Sequence, residues 1–569
     1  MSNIVIDRPY NSFESVEDLK SYLLLLESKE DKKSKEDKSK NKKEEEEISS
    51  NEKEDIKDPE KEEGKTPNDT IEVIYADQKQ KPKCIFKHII VFTNDKDPKN
   101  NKTLKNILDA IKKIDKSSEV EETPELHLFF ADEVRFELDD YDNMLTISDS
   151  DGEIDLTKDF DNTNTLIFSR LSVQGEEACE HVVELLQDRG FLVLNPVRYS
   201  EIACNKYDSA ELFRKGEIPQ PNFCLMTKDI LYDEKQYLES MKKVESKFSG
   251  DGDKDEDFKF VVKILDGHGG TGVAMLNGKQ ILAVFQMIFA IDPERQLIVQ
   301  RKEEGDGGDI RVHVLTLRTK QMILAAMKRV KLGGDFRSNV SLGATAEPVE
   351  LTPEQEQIAL KTAKLSKMPW CAVDIMPLVK GSNKELGDNV VLEINASPGT
   401  DGITDVIKTN FVNVLINELD DPKEFCLQNK TSGYIESVQI DFGKGKIDLL
   451  AKLDTGNGAT ASHVEVGEYT EKGDMISFTL GNKKYSLKKV GVSKALTGDT
   501  VNERPIVLVD ELILGQRKVK NIEMAIVKSR ENKSTNVLLN REVLSYLGIV
   551  VNPNETHLLT KEMEKVKII

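Results

Sequence analysis

Three stretches of the chain gather residues suited to handling phosphate and carboxylate. Phe260-Val261-Val262-Lys263-Ile264-Leu265 reads as a strand running into Asp266-Gly267-His268-Gly269-Gly270-Thr271-Gly272. A strand lysine supplies a point charge, and glycines let backbone N–H groups approach oxygens with no Cβ in the way. The loop lacks the Gly-Lys-Ser/Thr ending of a Walker A sequence, and a flexible hairpin tip would look much the same. His268 reads as a solvated loop residue. In Glu393-Ile394-Asn395, on a second predicted strand, residues i and i+2 face the same way about 6.6 Å apart. A carboxylate and an amide oxygen so placed can share a hard cation. Asp374, inside Cys371-Ala372-Val373-Asp374-Ile375, reads as a buried acid in apolar company, and such an acid needs a cation or a metal beside it. Each acid alone would equally suit a salt-bridged strand end. The third stretch, Lys328 to Asn339, concentrates Lys328, Arg329, Lys331 and Arg337 around Gly333-Gly334. Guanidinium groups there, with Arg311 in Asp309-Ile310-Arg311, can hold carboxylate or phosphoryl oxygens in pairs. A solvated basic loop is the plainer alternative.

The elements that must position these residues can be sketched from periodicity. The chain has 569 residues, 80 Lys+Arg against 102 Asp+Glu, and a net charge of −22. That length calls for several domains, and the acidic balance argues against direct nucleic-acid binding. No apolar run reaches membrane-span length and no basic-then-apolar leader opens the sequence, so a cytoplasmic protein is expected. The six cysteines are scattered, without Cys-x-x-Cys or a histidine at ligand spacing, and read as reduced thiols. Residues 29–65 hold 12 Lys and 15 Asp/Glu with two large aliphatics, Ile48 and Ile56, so residues 1–80 are expected to form a charged, largely disordered arm. From Cys84 strands and helices alternate: Ile85–Phe92, Thr103–Ile114, Leu126–Phe130, Thr165–Phe168, a helix over Gly175–Gly190 with a Gly stop, then Phe191–Leu194. This predicts a small α/β domain with parallel strands over 81–204, with an acidic, turn-rich excursion at 139–163. A second α/β region covers 205–425. Within it, Thr352-Pro353-Glu354-Gln355 predicts a capped helix to about Lys367, and Val390–Ile394 a strand. Over 430–569 the period drops to two, with hairpin signals such as Gly481-Asn482 between Met475–Leu480 and Lys483–Leu487. An all-β domain follows.

Taken in order, these motifs resemble the RimK-type ATP-grasp carboxylate–amine ligases over about residues 84–420. The matching residues are Phe168-Ser169-Arg170-Leu171, Lys206, Val261-Val262-Lys263 with the Gly-rich loop, Asp309-Ile310-Arg311, Gly334 to Asn339, Val373-Asp374-Ile375 and Glu393 to Gly399. The resemblance implies a pre-ATP-grasp α/β domain followed by an ATP-grasp fold. It implies that Lys206, Lys263, Gly269, Gly270, Thr271, Gly272 and Asp309 contact ATP, and that Asp374, Glu393 and Asn395 hold two Mg²⁺ or Mn²⁺ ions. Arg337 and Asn339 would line the phosphoryl-transfer site, and Arg311 would hold the acceptor carboxylate. The family adds glutamate to the C-terminus of a small-subunit ribosomal protein. Glutamate and a protein or peptide C-terminus are therefore the expected substrates, with a homo-oligomer the expected state. One segment departs from the pattern: Arg301-Lys302 stand where a glutamate and an aromatic are usual. Glu303 or Glu304 would then take the ribose contact, or base selection is relaxed. A ligase for another amino acid and acceptor, and a catalytically inactive binding protein, remain open.

In the C-terminal region, Asp454-Thr455-Gly456 follows the apolar run Ile447–Leu453. With His463, Arg504 to Leu508, Val537 to Arg541 and Leu544, it resembles the retropepsin-like domain called ATP-dependent zinc protease, a frequent companion of RimK-type ligases. A β-barrel with Asp454 as a water-activating acid is implied. One Asp-Thr-Gly copy supplies half a dyad. Asn457-Gly458-Ala459-Thr460 also replaces the family's usual Ala-x-Thr-Ser. His463 alone reads as structural.

Overall fold

The computed structural model describes residues 73–80, 83–94, 101–115, 124–131, 135–138, 145–149, 152–156, 158–171, 177–228, 259–267, 271–330, 344–383, 385–459, 461–497, 500–528 and 534–563. The charged arm expected over 1–80 falls almost wholly outside them. Residues Thr70–Ile569 form one compact unit.

Its first part is a four-stranded parallel sheet in the order Glu125–Phe130, His88–Thr93, Thr165–Arg170, Leu192–Leu194. Alternation along His88–Thr93 sends Ile89 and Val91 to one face and Ile90 and Phe92 to the other, and all four are fully buried. Ile89 and Val91 meet Leu104, Ile107, Ile111 and Ile114, the apolar stripe of the helix Lys102–Asp115. That core runs on without a break into Leu315, Leu324, Trp370 and Phe411 of the next part. The segment expected to be an excursion instead forms much of an antiparallel meander, Arg135–Leu138, Leu145–Asp149 and Gly152–Asp155. Ile147 and Leu156 anchor it in the core beneath Phe160.

The middle part holds two antiparallel sheets. One orders Val273–Asn277, Lys259–Ile264, Leu297–Arg301, Phe223–Met226. The other orders Thr345–Pro348, Gln321–Val330, Gly308–Thr316, Trp370–Pro377, Asn389–Asn395. The helix Pro353–Ser366 backs the second sheet. It starts as its letters predict, with Thr352 accepting from Gln355 N and Gln355 reaching back to the Thr352 N–H.

The C-terminal part is a barrel. Ile435–Asp441, Lys446–Leu453, Val537–Leu539, Ser462–Val466, Arg517–Lys528 and Thr500–Leu514 pair in that order, and Ile435–Asp441 pairs with Thr500–Leu514 to close six strands. Lys483–Thr497, Met475–Leu480 and Tyr469–Lys472 extend the sheet beyond the ring. The Gly481 turn stands where expected, at φ +59°.

Arg517 ties the barrel to the helix Glu177–Asp188 of the first part. It is 2 % exposed and donates to the carbonyls of Asp188, Gln187, Leu547 and Gly548 at 3.1, 3.3, 2.7 and 3.1 Å. Gly190, at φ +84°, ends the helix Glu177–Asp188, and a Cβ there would meet Arg517 Cγ at 3.3 Å. We predict that Arg517→Ala lowers stability by about 3–5 kcal/mol, because it strips donors from carbonyls in a water-excluded seam. Urea denaturation checks this, and a loss under about 1 kcal/mol would mean that other contacts hold the seam.

Candidate functional site

The second central sheet builds the site by register. Asp309 and Arg311 lie two residues apart on Gly308–Thr316 and so share a face. Across one edge Asp309 pairs with Arg329, and across the other Arg311 pairs with Asp374. Asp374 in turn pairs with Glu393, and Ala372 with Asn395, on the last strand. Cross-strand neighbours thus line up one charged row across four strands.

The row is closely bonded. Arg311 forks onto Asp374, Nε to Oδ1 at 2.7 Å and Nη2 to Oδ2 at 2.6 Å. Arg329 forks onto Asp309 at 2.6 and 2.7 Å and adds a bond to Asp374 Oδ2 at 2.7 Å. Asn395 Nδ2 donates to the same oxygen at 3.3 Å. Asp374 is fully buried as expected, but its company is cationic rather than apolar. Burial pushes its pKa up, and Arg311 and Arg329 more than reverse that, so it stays ionised. Glu393 moves the other way: desolvation, then the adjacent Asp374 carboxylate, raise it. Its side chain keeps 38 % exposure and lies 3.9 Å from Arg311. Of the two carboxylates, Asp374 is held buried between guanidinium groups, while Glu393 stays partly open to solvent.

Lys263, on the other sheet, and Lys206, at a helix start, act on Glu393 from opposite elements. Lys263 pairs across strands with Val273 and Ile298. Burial pulls its ammonium down to about 8, against the pull of Glu393. Lys206 opens the helix Lys206–Lys215, whose Asn205 cap accepts from Tyr207 N and Asp208 N. Its Nζ donates to the Gly267 carbonyl, tying that helix to the glycine loop. Burial lowers this lysine too, with Glu393 opposing. The loop leaves no room for side chains at two positions: a Cβ on Gly272, at φ +70°, would lie 2.3 Å from Ile264 Cδ1, and one on Gly267 2.5 Å from the Thr271 carbonyl. Thr271 and Gly272 are exposed at its tip. His268, Gly269, Gly270, Arg337 and Asn339 lie outside the described residues.

Glu303 sits beyond the strand Leu297–Arg301, 7 % exposed, while Glu304 is exposed. Asn383 Nδ2 donates to Glu303 Oε2 at 3.1 Å, and Arg301 Nε lies 3.6 Å from Oε1, which is buried without a hydrogen bond. Desolvation raises the Glu303 pKa.

Two residues in the quoted motifs went without a role in the sequence. Arg329 was one cation among several in a basic stretch; its burial and double fork depend on which strand Gln321–Val330 pairs with. Arg170, at the end of Thr165–Arg170, donates to the Pro398 carbonyl at 3.3 Å and so joins the first sheet to the loop after Asn395.

Residues 203–419 match the model of the RimK-like ATP-grasp domain. The matched segment contains Lys206, Lys263, Glu303, Asp309, Arg311, Asp374, Glu393 and Asn395. A probable alpha-L-glutamate ligase of Thioalkalivibrio sulfidiphilus is 36% identical over 143 residues, 25% of this chain and 44% of the relative. One from Rhodopirellula baltica is 25% identical over 245 residues, 43% and 52% of the two chains. The chain spans about half the length of these curated relatives. Among solved structures, the ATP-grasp ligase PsnB with its minimal precursor overlaps at a TM-score of 0.42 and 16% identity, covering 58% of this chain and 97% of its own. D-alanyl-alanine synthetase A from Vibrio cholerae overlaps at 0.40 and 16%, covering 59% and 94%.

In the C-terminal barrel, Asp454 follows the strand Lys446–Leu453. Its N–H donates to the Leu539 carbonyl at 3.0 Å, and its Oδ1 accepts from Gly456 N at 3.2 Å. Asn540 braces the loop by donating to the Ala459 carbonyl at 2.7 Å and accepting from Ser462 Oγ at 2.9 Å. His463 is buried in Ser462–Val466. No disulfide joins any of the six cysteines, and no helix among the described residues is long and apolar enough to cross a membrane.

Proposed function

We propose that the chain is an ATP-dependent carboxylate–amine ligase that joins glutamate to the C-terminus of a protein or peptide, a small-subunit ribosomal protein being the first acceptor to test. One observation carries this reading: a single charged row from Arg329 to Asn395, faced by Lys263 and Lys206, inside the segment that matches a RimK-like ATP-grasp domain. Residues 81–204 would be the pre-ATP-grasp domain and 205–425 the catalytic one.

Lys206 and Lys263 would bind the phosphates of ATP. Glu303, whose buried Oε1 makes no hydrogen bond, would accept from a ribose hydroxyl. Asp374, Glu393 and Asn395 offer the oxygen donors that suit Mg²⁺, and the raised Glu393 pKa beside Asp374 is the strain a dication relieves. Bound there, Mg²⁺ would neutralise triphosphate charge. The acceptor carboxylate attacks the γ-phosphorus, ADP leaves and an acyl phosphate forms. The glutamate amine then attacks the acyl carbon, inorganic phosphate leaves with the C–O bond, and the amine gives up its proton. Arg311, already oriented by Asp374, would orient the acceptor carboxylate, with Arg337 and Asn339 stabilising the charge. A cytoplasmic location and a homo-oligomer belong to the same proposal.

The test is to incubate the purified chain with ATP, Mg²⁺ and glutamate, with and without the ribosomal protein, and to read intact masses. A ladder spaced by glutamate on the ribosomal protein supports acceptor and amine together. Free glutamate oligomers would remove the ribosomal acceptor, and ATP turnover only with another amino acid would remove glutamate. No turnover at all would leave a binding protein.

A retropepsin-like role for residues 430–569 is also part of the proposal, supported by the closed barrel and by Asp454 at a strand end. We predict that Asp454→Asn leaves ligation intact and stops trimming of added residues in a mass time course. Unchanged trimming would sink the idea.

A further inference from the structure

At the far end of the first sheet, two histidines and a glutamate converge. His88 opens one strand and Glu125 opens its parallel neighbour. The register pairs His88 with Glu125 and Ile90 with His127, so the period of two puts all three side chains on one face. Nδ1 of His88, Oε2 of Glu125 and Nε2 of His127 lie within 4.8 Å of one another. The two nitrogens stand 3.4 and 3.8 Å from the glutamate oxygen. Bonds of about 2.1 Å to a tetrahedral ion would place its ligand atoms about 3.4 Å apart, so the His88–Glu125 edge already fits and the exposed Glu125 carboxylate can turn toward His127.

A second, independent observation points to a ligand. His88 Nδ1 and His127 Nε2 are both buried, and neither makes a hydrogen bond. Buried polar atoms left so are costly and uncommon. The rings are held in place: Phe160 packs edge-on against both, with centroids 5.0 Å from His88 and 4.8 Å from His127. Glu125 remains 70 % exposed, which leaves a side open for water as a further ligand.

We propose that His88, Glu125 and His127 form a binding site for a Zn²⁺-class divalent metal, separate from the ligase chemistry. Two imidazole nitrogens and one carboxylate select zinc, cobalt or nickel over magnesium, which wants oxygen ligands throughout. The site is remote from the charged row. His88 is in register with Thr165, while Arg170, which reaches the Pro398 loop, ends that strand five residues on, about 17 Å away. The ion would clip together two parallel strands beside Phe160. The next residue, Asp161, holds Lys518 and Lys520 of the barrel at 3.1 and 2.8 Å. Its role is therefore to fasten the first sheet where the barrel docks, and it stands whether or not the ligase proposal does.

The test uses the full chain, stripped with a chelator and then held in excess Mg²⁺ so that hard-oxygen sites are filled. Titration with Co²⁺ should give visible d–d absorption that saturates at one equivalent, and Zn²⁺ should displace it and raise the melting temperature. Glu125→Gln and His127→Gln should each weaken Zn²⁺ at least about 10-fold and abolish the melting shift, whereas Glu393→Ala should leave both unchanged. Glu125 is exposed, so its variant keeps the core intact, and equal melting without metal confirms this. Absence of saturable Co²⁺ absorption, or undiminished Zn²⁺ affinity in Glu125→Gln and His127→Gln, would overturn the proposal.

Discussion

Replacing Glu393 by alanine is expected to lower ATP-dependent ligation by more than about 100-fold while the protein stays folded. The magnitude follows from position. Outer-shell partners of metal ligands already cost 10–100-fold when removed, and Glu393 is proposed as a ligand itself. Folding should survive because the side chain is 38 % exposed, and because desolvation and then the neighbouring Asp374 carboxylate already disfavour its charged form. Initial rates of ADP release with saturating acceptor, read beside a thermal melt, check both halves. Activity within about 10-fold of the parent would remove Glu393 from the proposed metal site. Collapse of the melt would show that it supports the sheet instead.

The second large effect concerns stability. Arg329 is 4 % exposed and binds two buried acids at once. Burial alone would lower its pKa, but Asp374 and Asp309 outweigh that and hold it charged. Arg329→Met keeps bulk while stripping the fork from Asp309, itself 3 % exposed, and one donor from Asp374. Breaking a buried pair from one side costs about 3–5 kcal/mol, so a loss of that size is expected in urea denaturation at pH 7. A loss under about 1 kcal/mol would mean that Arg329 is not what holds the two acids in place. Arg329→Lys should fall between the two, since it restores charge without the planar fork.

Much of the molecule was legible because the signals were local. Thr352, Pro353 and Gln355 specify a helix start within four residues, and the helix forms there. Gly190 ends the helix Glu177–Asp188 by adopting φ +84°, a conformation open to glycine without strain. The Gly481-Asn482 turn set the hairpin, although its second strand runs on to Thr497, since alternation alone gives no stop before the next turn. The candidate residues Lys263, Asp374, Glu393 and Asn395 are singled out by their motifs and by the resemblance those motifs carry, and their roles belong to the proposal.

What those residues touch was decided only by the tertiary structure. Arg329 meets Asp374 across 45 positions and Arg311 meets it across 63. Which cation faces which acid depends on strand order and register, and a slip of one residue would turn every side chain to the other face. The same holds for His88 and His127, apart in sequence and aligned by a parallel pairing, and for the barrel, closed by Ile435–Asp441 against Thr500–Leu514. Helix caps, turns and the residue types available for chemistry are readable along the chain, because they depend on sequence neighbours. Partners, burial and the direction of each pKa shift came from folding, because low dielectric and close charges exist only once distant strands are packed together.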